Sequence, residues 1–296
     1  MKKLVIIAAV AFCMTACSKD KKSFDATGTF EATEIIVSSE ANGKIVELNL
    51  EEGSKLNRGD IVGVIDTNQL DIAKRMLLQG IELLKTQRPN KALQLAPLYS
   101  QMEKLRDDKN RVENLLKSEV ATQKQFDDII SAIDILQKQI NAQEDALGSA
   151  IKSIDEQILL KQLELEKVGD MLSKSSIVSP ISGTVLAKYV NRGELTGAGR
   201  PIFKIADVDN IYLKAYFTSE QLASIKLGGK VKVKADFGGD QKRDYDGTII
   251  WISENSEFTP KNIVTANERA NMVYAVKISL VNDGYVKIGM YGEIYL

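Results

Sequence analysis

Three glycine pairs kept at one fixed offset constrain this chain more than any other feature. Gly43 and Gly183, Gly53 and Gly193, and Gly59 and Gly199 all lie 140 residues apart, as do Val62 with Ile202 and Ile65 with Ile205. Around the first pair, Ala41-Asn42-Gly43-Lys44-Ile45 answers to Ile181-Ser182-Gly183-Thr184-Val185. Each copy reads as strand, turn, strand, glycine turn, strand, with glycine supplying the positive-φ positions of tight turns. One copy alone is too small to bury both of its faces. Two copies facing each other would close a small β-sandwich.

What separates the copies is a different material. Residues 67–175 hold three glycines of the chain's 20 (Gly80, Gly148, Gly169) and two aromatics (Tyr99, Phe126). They are rich in Leu, Ile, Gln, Lys, Glu and Asp, a composition that suits long helices. Apolar residues recur at alternating steps of three and four. In the second half the seam is Phe126, Ile129, Ile133, Leu136 and Ile140, then Leu147, Ile151, Ile154, Ile158, Leu165, Val168 and Leu172, with a stutter around Leu147. In the first half it is Leu70, Ala73, Leu77 and Leu84, then Leu98, Met102, Leu105, Val112 and Leu116. Between those runs the seam positions are polar (Gln87, Lys91, Gln94), and Pro89 and Pro97 lie there too. Proline removes a helical hydrogen bond, so a break or kink is expected near residues 87–97. Two seams of similar length imply an antiparallel coiled-coil hairpin turning near Lys117 to Thr122. Each arm of roughly 50 residues spans about 75 Å. An arm that long reaches toward a partner, or serves as a dimerising coiled coil.

The residue inventory removes most enzyme chemistry. There is no histidine, which excludes Ser-His-Asp and Cys-His nucleophiles and imidazole metal sites. The two cysteines, Cys13 and Cys17, lie at the extreme N-terminus. With 39 Lys+Arg against 40 Asp+Glu, nothing marks nucleic acid as a partner. Lys2 and Lys3 precede an apolar stretch from Leu4 to Ala16, too short to span a bilayer and suited to a removable signal. It ends Met14-Thr15-Ala16-Cys17, which resembles a bacterial lipoprotein signal. Residues 1–16 then form the signal, Cys17 the lipid anchor, and residues 17–27 a polar tether.

The two repeat copies resemble the halves of a biotinyl/lipoyl-type domain. In a carrier domain a lysine-bearing hairpin joins the halves; here Asp66-Thr67 follows Ile65 and the helical segment begins. A lipoyl domain split by a helical hairpin resembles the HlyD-like periplasmic adaptors, or membrane fusion proteins. The resemblance implies a mainly β fold with a long inserted α-helical coiled-coil hairpin, a split lipoyl-like β-sandwich and a C-terminal β-barrel. The sandwich halves are expected at 28–66 and 176–207, the hairpin at 67–175 and the barrel at 208–296. Alternating segments such as Ile211-Tyr212-Leu213-Lys214-Ala215-Tyr216-Phe217 and Tyr274-Ala275-Val276-Lys277-Ile278 supply barrel strands. Gly289-Met290-Tyr291-Gly292-Glu293 resembles the family's last strand. Glu257 to Lys261 and Asn267 to Arg269 resemble the ABC-exporter-linked branch.

The resemblance also implies partners: an inner-membrane transporter, with an ABC permease and ATPase favoured, an outer-membrane channel protein, and copies of the chain itself as a hexamer or three pairs. It places the protein in the periplasm, anchored by preference to the inner membrane. At the hairpin turn, Arg111, Leu115 and Thr122 resemble the family's channel-docking motif, with Thr122 where Ser is usual. Arg111 and Leu115 share a helix face at i, i+4, and Thr122 caps the returning helix. Taken without the resemblance, Arg111 reads first as a solvated coiled-coil charge; the resemblance favours docking. No catalytic residue, cofactor or metal is expected. Gly228-Gly229-Lys230 lacks phosphate-loop spacing, and GELTGAG at Gly193 to Gly199 precedes a strand. Asp236, Asp240, Asp244 and Asp246 form a solvated acidic loop or attract a hydrated cation. The alternatives are a proton-driven RND-type adaptor and a structural coiled-coil envelope lipoprotein. The 140-residue repeat speaks against the latter, because a plain stalk needs no split sandwich.

Overall fold

The computed structural model describes residues 24–238, 241–258 and 272–296. The signal at 1–16, Cys17, Asp240 and the stretch from Thr259 to Arg269 lie outside the described residues. The chain divides into two compact units. One takes residues up to Ser39, Ile45–Gly63 and Ile177–Leu296; the other takes Glu40–Lys44 and Val64–Ser176.

The β-rich unit opens with β1 (Ala26–Glu31), β2 (Glu34–Ser38), β3 (Gly43–Leu48), β4 (Lys55–Leu56) and β5 (Ile61–Ile65). After the helical segment come β6 (Ser176–Val178), β7 (Gly183–Lys188), β8 (Leu195–Thr196) and β9 (Pro201–Ala206). The chain ends with β10 (Asn210–Phe217), β11 (Lys230–Asp236), β12 (Lys242–Phe258), β13 (Met272–Val281) and β14 (Tyr291–Tyr295). Two four-stranded sheets, ordered β2-β9-β7-β4 and β6-β5-β3-β8, mix strands of both repeat copies. Their apolar positions are buried: Ile45, Val62 and Ile65 from the first copy, Val185, Ile202 and Ile205 from the second. The equivalences hold residue for residue, since Val62 with Ile202 and Ile65 with Ile205 carry the 140-residue offset.

Six strands close a barrel in the order β1-β10-β13-β12-β11-β14. Its strands obey the period-two rule for a sheet with one face in the core. On β10, Ile211, Leu213, Ala215 and Phe217 point inward while Tyr212, Lys214 and Tyr216 point outward. Phe30 is fully buried in that core, so truncating it to alanine would cost about 3–5 kcal/mol. β1 corrects the expected boundaries. Residues 26–31 were expected in the tether and the first sandwich half, yet they pair with β10 and β14. The physical reason is closure: without β1, neighbours β10 and β14 would both present open edges. Gly28 permits it, because a Cβ there would run into the Lys214 carbonyl.

Asp244 and Asp246 are exposed to solvent and each has a lysine partner. On the paired strands β11 and β12, Lys232 contacts Asp246, and Lys234 lies 3.8 Å from Asp244. Asp236 accepts the Gly238 amide.

The helical unit contains α1 (Asn68–Gln87), α2 (Lys91–Lys117) and α3 (Gln123–Lys174). A single turn, α4 (Ser219–Leu222), lies in the β-rich unit. At 1.5 Å per residue the 52 residues of α3 run about 78 Å. The outgoing arm breaks at Arg88–Asn90, around Pro89, and Asn90 caps α2 by accepting the Leu93 amide at 3.1 Å. Pro97 stays inside α2. Met102 packs with Leu136 and Ile140, flanked by Leu98, Leu105 and Ile133. One seam expectation is corrected: Gln94 is exposed and Leu95 is buried. Ile81 is buried as well, at the four-and-three step between the seam residues Leu77 and Leu84. The chain crosses the break in an extended conformation, and steps of four and three still connect Leu77, Ile81 and Leu84 before it with Leu95, Leu98, Met102 and Leu105 after it.

Candidate functional site at the hairpin turn

The turn between α2 and α3 is built from two complementary caps. Helix ends leave unpaired backbone groups that a local motif must satisfy. At the end of α2 the Glu119 amide donates to the Leu116 carbonyl at 3.0 Å, and the Val120 amide donates to Leu115 at 2.9 Å. This is a Schellman arrangement, which needs a left-handed residue. Glu119 takes that role at φ 55, the one non-glycine with positive φ among the described residues. At the start of α3, Thr122 Oγ1 accepts the Gln125 amide, and the Gln125 side chain accepts the Thr122 amide at 2.9 Å. That reciprocal box satisfies two amides at once.

The caps fix where the three motif residues sit. Leu115 is the residue whose carbonyl the turn closes on, accepting from Ser118, Val120 and Ala121. Its side chain remains 40 % exposed, off the buried seam. Arg111 lies one turn earlier on the same face and reaches back to Asp108 at 3.5 Å, mostly in solvent. That weak i, i+3 contact leaves most of the guanidinium's donors available. Thr122 is where the sequence places it, at the N-cap, with its hydroxyl engaged in the cap. Val120, missed in the sequence, projects beside them and is largely exposed. Its signal would have been its position two residues beyond the C-cap Ser118, where the Schellman motif places an apolar residue.

Lower on the hairpin, polar residues bridge the two arms where the seam lacks leucine. Arg88 makes two parallel bonds to Asp155, Nε to Oδ1 at 2.8 Å and a second to Oδ2 at 3.2 Å. Those bonds hold the Asp155 carboxyl below its ordinary range and raise the Arg88 guanidinium. Glu144 accepts the Tyr99 hydroxyl at 2.9 Å, which raises the tyrosine pKa, and faces Lys91 at 3.4 Å.

At the junction where a carrier lysine would stand, Asp66 accepts the Asn68 amide and Thr67 donates to Asp71. No helix among the described residues is long and apolar enough to cross a membrane.

The family described as RND MFP, barrel-sandwich hybrid domain, matches residues 33–207. A UPF0194 membrane protein from Citrobacter koseri is 23% identical over 98% of this chain and 96% of its own length. One from Yersinia enterocolitica is also 23% identical, over 98% and 97%. Among solved structures, MacA from Actinobacillus actinomycetemcomitans is 18% identical with a TM-score of 0.56, covering 91% of this chain and 76% of that one. A membrane fusion protein from Streptococcus pneumoniae, 18% identical, gives a TM-score of 0.51 over 91% and 96%. At these identities the structural likeness speaks to the fold alone.

Proposed function

Because this chain belongs to the membrane fusion protein family of periplasmic adaptors, we propose that it links an inner-membrane transporter to an outer-membrane channel in a tripartite export system. The single observation that carries the reading is the interrupted sandwich: one small domain is divided at Ile65 by a helical hairpin of about 78 Å and then completed 140 residues later. A scaffold of that kind moves no protons and transfers no groups. It holds two partners at a fixed spacing.

In this reading Cys17 carries the lipid that keeps the protein at the inner membrane. The barrel and sandwich seat on the transporter as a ring of six copies or three pairs. The hairpin turn meets the channel: Arg111 donates to backbone carbonyls of the partner, and Leu115 fills an apolar notch. Thr122 keeps the turn in shape through its cap.

An ABC-type transporter is our first choice, on the sequence from Glu257 to Arg269. The second reading, a proton-driven RND-type pump, is favoured by the matching family's own description. Crosslinked affinity purification of the intact lipoprotein tests both. Recovery of an ABC permease or ATPase, with a channel protein crosslinked near Arg111, supports the first. An RND pump in its place supports the second. Recovery of envelope structural proteins with no transporter would overturn the adaptor reading and leave a coiled-coil stalk. Replacing Arg111 and Leu115 together by alanine is expected to abolish the channel crosslink while the transporter is still recovered.

A further inference from the structure

We propose that the ribbon end of the barrel, where Phe258 and Met272 face each other across β12 and β13, rests on the surface of the bilayer that holds the lipid anchor. The inference depends on the reading of Cys17 as lipidated, and goes beyond it by assigning a membrane-contact surface.

Chain length sets the first constraint. The Asp25 amide donates to the Ile294 carbonyl at 2.9 Å, and β1 follows at Ala26, so the barrel pins the chain from Asp25 onward. Eight peptide steps join Cys17 to Asp25. Fully extended they span at most about 29 Å. An acyl chain on Cys17 would therefore hold the start of β1 within that distance of the membrane.

Strand register then says which end of the barrel is held. Thr27 of β1 is opposite Tyr216, so the start of β1 lies beside the end of β10. Phe217, the last residue of β10, is opposite Tyr274 near the start of β13. Beyond that row β13 pairs with β12 alone, Val273 with Glu257 and Met272 with Phe258. The anchored end of the barrel is thus the end from which the two-stranded ribbon extends.

The ribbon's side chains suit a lipid surface. Phe258 is 78 % exposed, the most exposed large apolar side chain among the described residues, and Met272 opposite it is 46 % exposed. An aromatic ring and a flexible thioether on facing positions of a hydrogen-bonded ribbon would bury well in the headgroup region. The exposed neighbours Glu254 and Glu257 are acidic. The contact is therefore apolar in origin, not an attraction of basic residues to anionic lipid.

The test uses the full lipoprotein carrying Phe258→Cys or, as control at the far end of β13, Val281→Cys. Cys13 leaves with the signal and Cys17 bears the lipid, so the introduced thiol is the one free to take a nitroxide label. In vesicles of phosphatidylethanolamine and phosphatidylglycerol, collision with a water-soluble nickel chelate should fall several-fold at 258 relative to 281, and oxygen collision should rise, at low and high salt alike. Equal chelate access at both positions would overturn the proposal. So would protection at 258 that arises only when the transporter is added, since the surface would then belong to a protein contact. The intact mass of the same sample separates the two readings. An acylated Cys17 with a wet label at 258 overturns this proposal alone; an unmodified Cys17 overturns the anchor reading and the proposal with it.

Discussion

The Gly53 amide donates to the Val185 carbonyl at 2.9 Å, and 140 residues along, the Gly193 amide donates to Ile45 at 2.8 Å. The same exchange recurs one turn on, where Gly59 donates to Ser179 and Gly199 to Ser39, each at 2.8 Å. Each repeat copy closes its turns on the carbonyls of the other, so neither half satisfies its backbone without its mate. The hairpin between them therefore hangs from a domain that exists only when both ends of the insertion have returned.

That symmetry makes a quantitative prediction. Gly53 and Gly193 have φ of +86° and +94° and nothing nearby for a Cβ to strike. Alanine at either position pays only the left-handed backbone penalty, about 1 kcal/mol, and the two losses should match in urea denaturation of the mature protein. Gly183→Ala should cost more, because its Cβ would run into the Ala206 carbonyl. Unequal losses at 53 and 193 would contradict the equivalence of the halves.

At the hairpin turn the left-handed position is held by the wrong residue for stability. Glu119→Gly relieves the strain at φ 55 but loosens the unfolded chain, for a net gain of ~0.5 kcal/mol. Thr122→Ala removes the cap and should cost about 1 kcal/mol, while Thr122→Ser keeps it. Amide exchange at Val120 and Gln125 reads all three. A Thr122→Ser variant with alanine-like exchange would mean that the methyl, not the hydroxyl, shapes the turn.

The helix break depends on an ion pair with a defined pH window. Arg88 lowers the Asp155 pKa, so the pair's contribution is complete above the carboxylate's ordinary value and fades as pH falls through the depressed one. Asp155→Asn should speed amide exchange at residues flanking the break a few-fold at pH 7, and should flatten the acid dependence seen in the parent. Both groups are half exposed, so high salt should reproduce part of the effect. Identical acid profiles for parent and variant would remove the pair as the brace.

Much of this architecture was legible because it is periodic. The offset glycines announced the split sandwich, and steps of three and four located the hairpin seam and its turn. What escaped was what depends on distant partners. Arg88 finds Asp155 on the opposite arm, 67 residues away, and nothing in either's neighbourhood names the other. Leu95 replaced Gln94 in the seam although both stand one permitted step before Leu98, so spacing alone did not choose between them. The barrel's need for a strand to lie between β10 and β14 likewise drew in Ala26–Glu31, a segment whose local sequence fits a tether as well. At the turn, the Thr122 N-cap was legible. Val120 was not, because its prominence comes from the left-handed turn at Glu119.

The barrel carries an alkaline limit of its own. Burial and the hydrogen bond from the Tyr245 hydroxyl to Asp283, 2.8 Å long, push the phenol up to about 12. Asp283 also meets Arg243, which stacks over the Tyr285 ring at 3.6 Å, so the tyrosine holds one corner of a packed polar cluster. An unfolded tyrosine ionises near 10 while the folded one stays protonated. The unfolded state thus binds fewer protons above pH 10, and stability must fall as pH rises from about 10 to about 12. Tyr245→Phe loses the hydrogen bond at every pH but also the ionisation, so its stability should be lower than the parent's at pH 8 and decline less steeply above pH 10. Urea midpoints between pH 8 and 11 measure the difference in slope. A variant that declines as steeply as the parent would place the alkaline sensitivity elsewhere in the barrel.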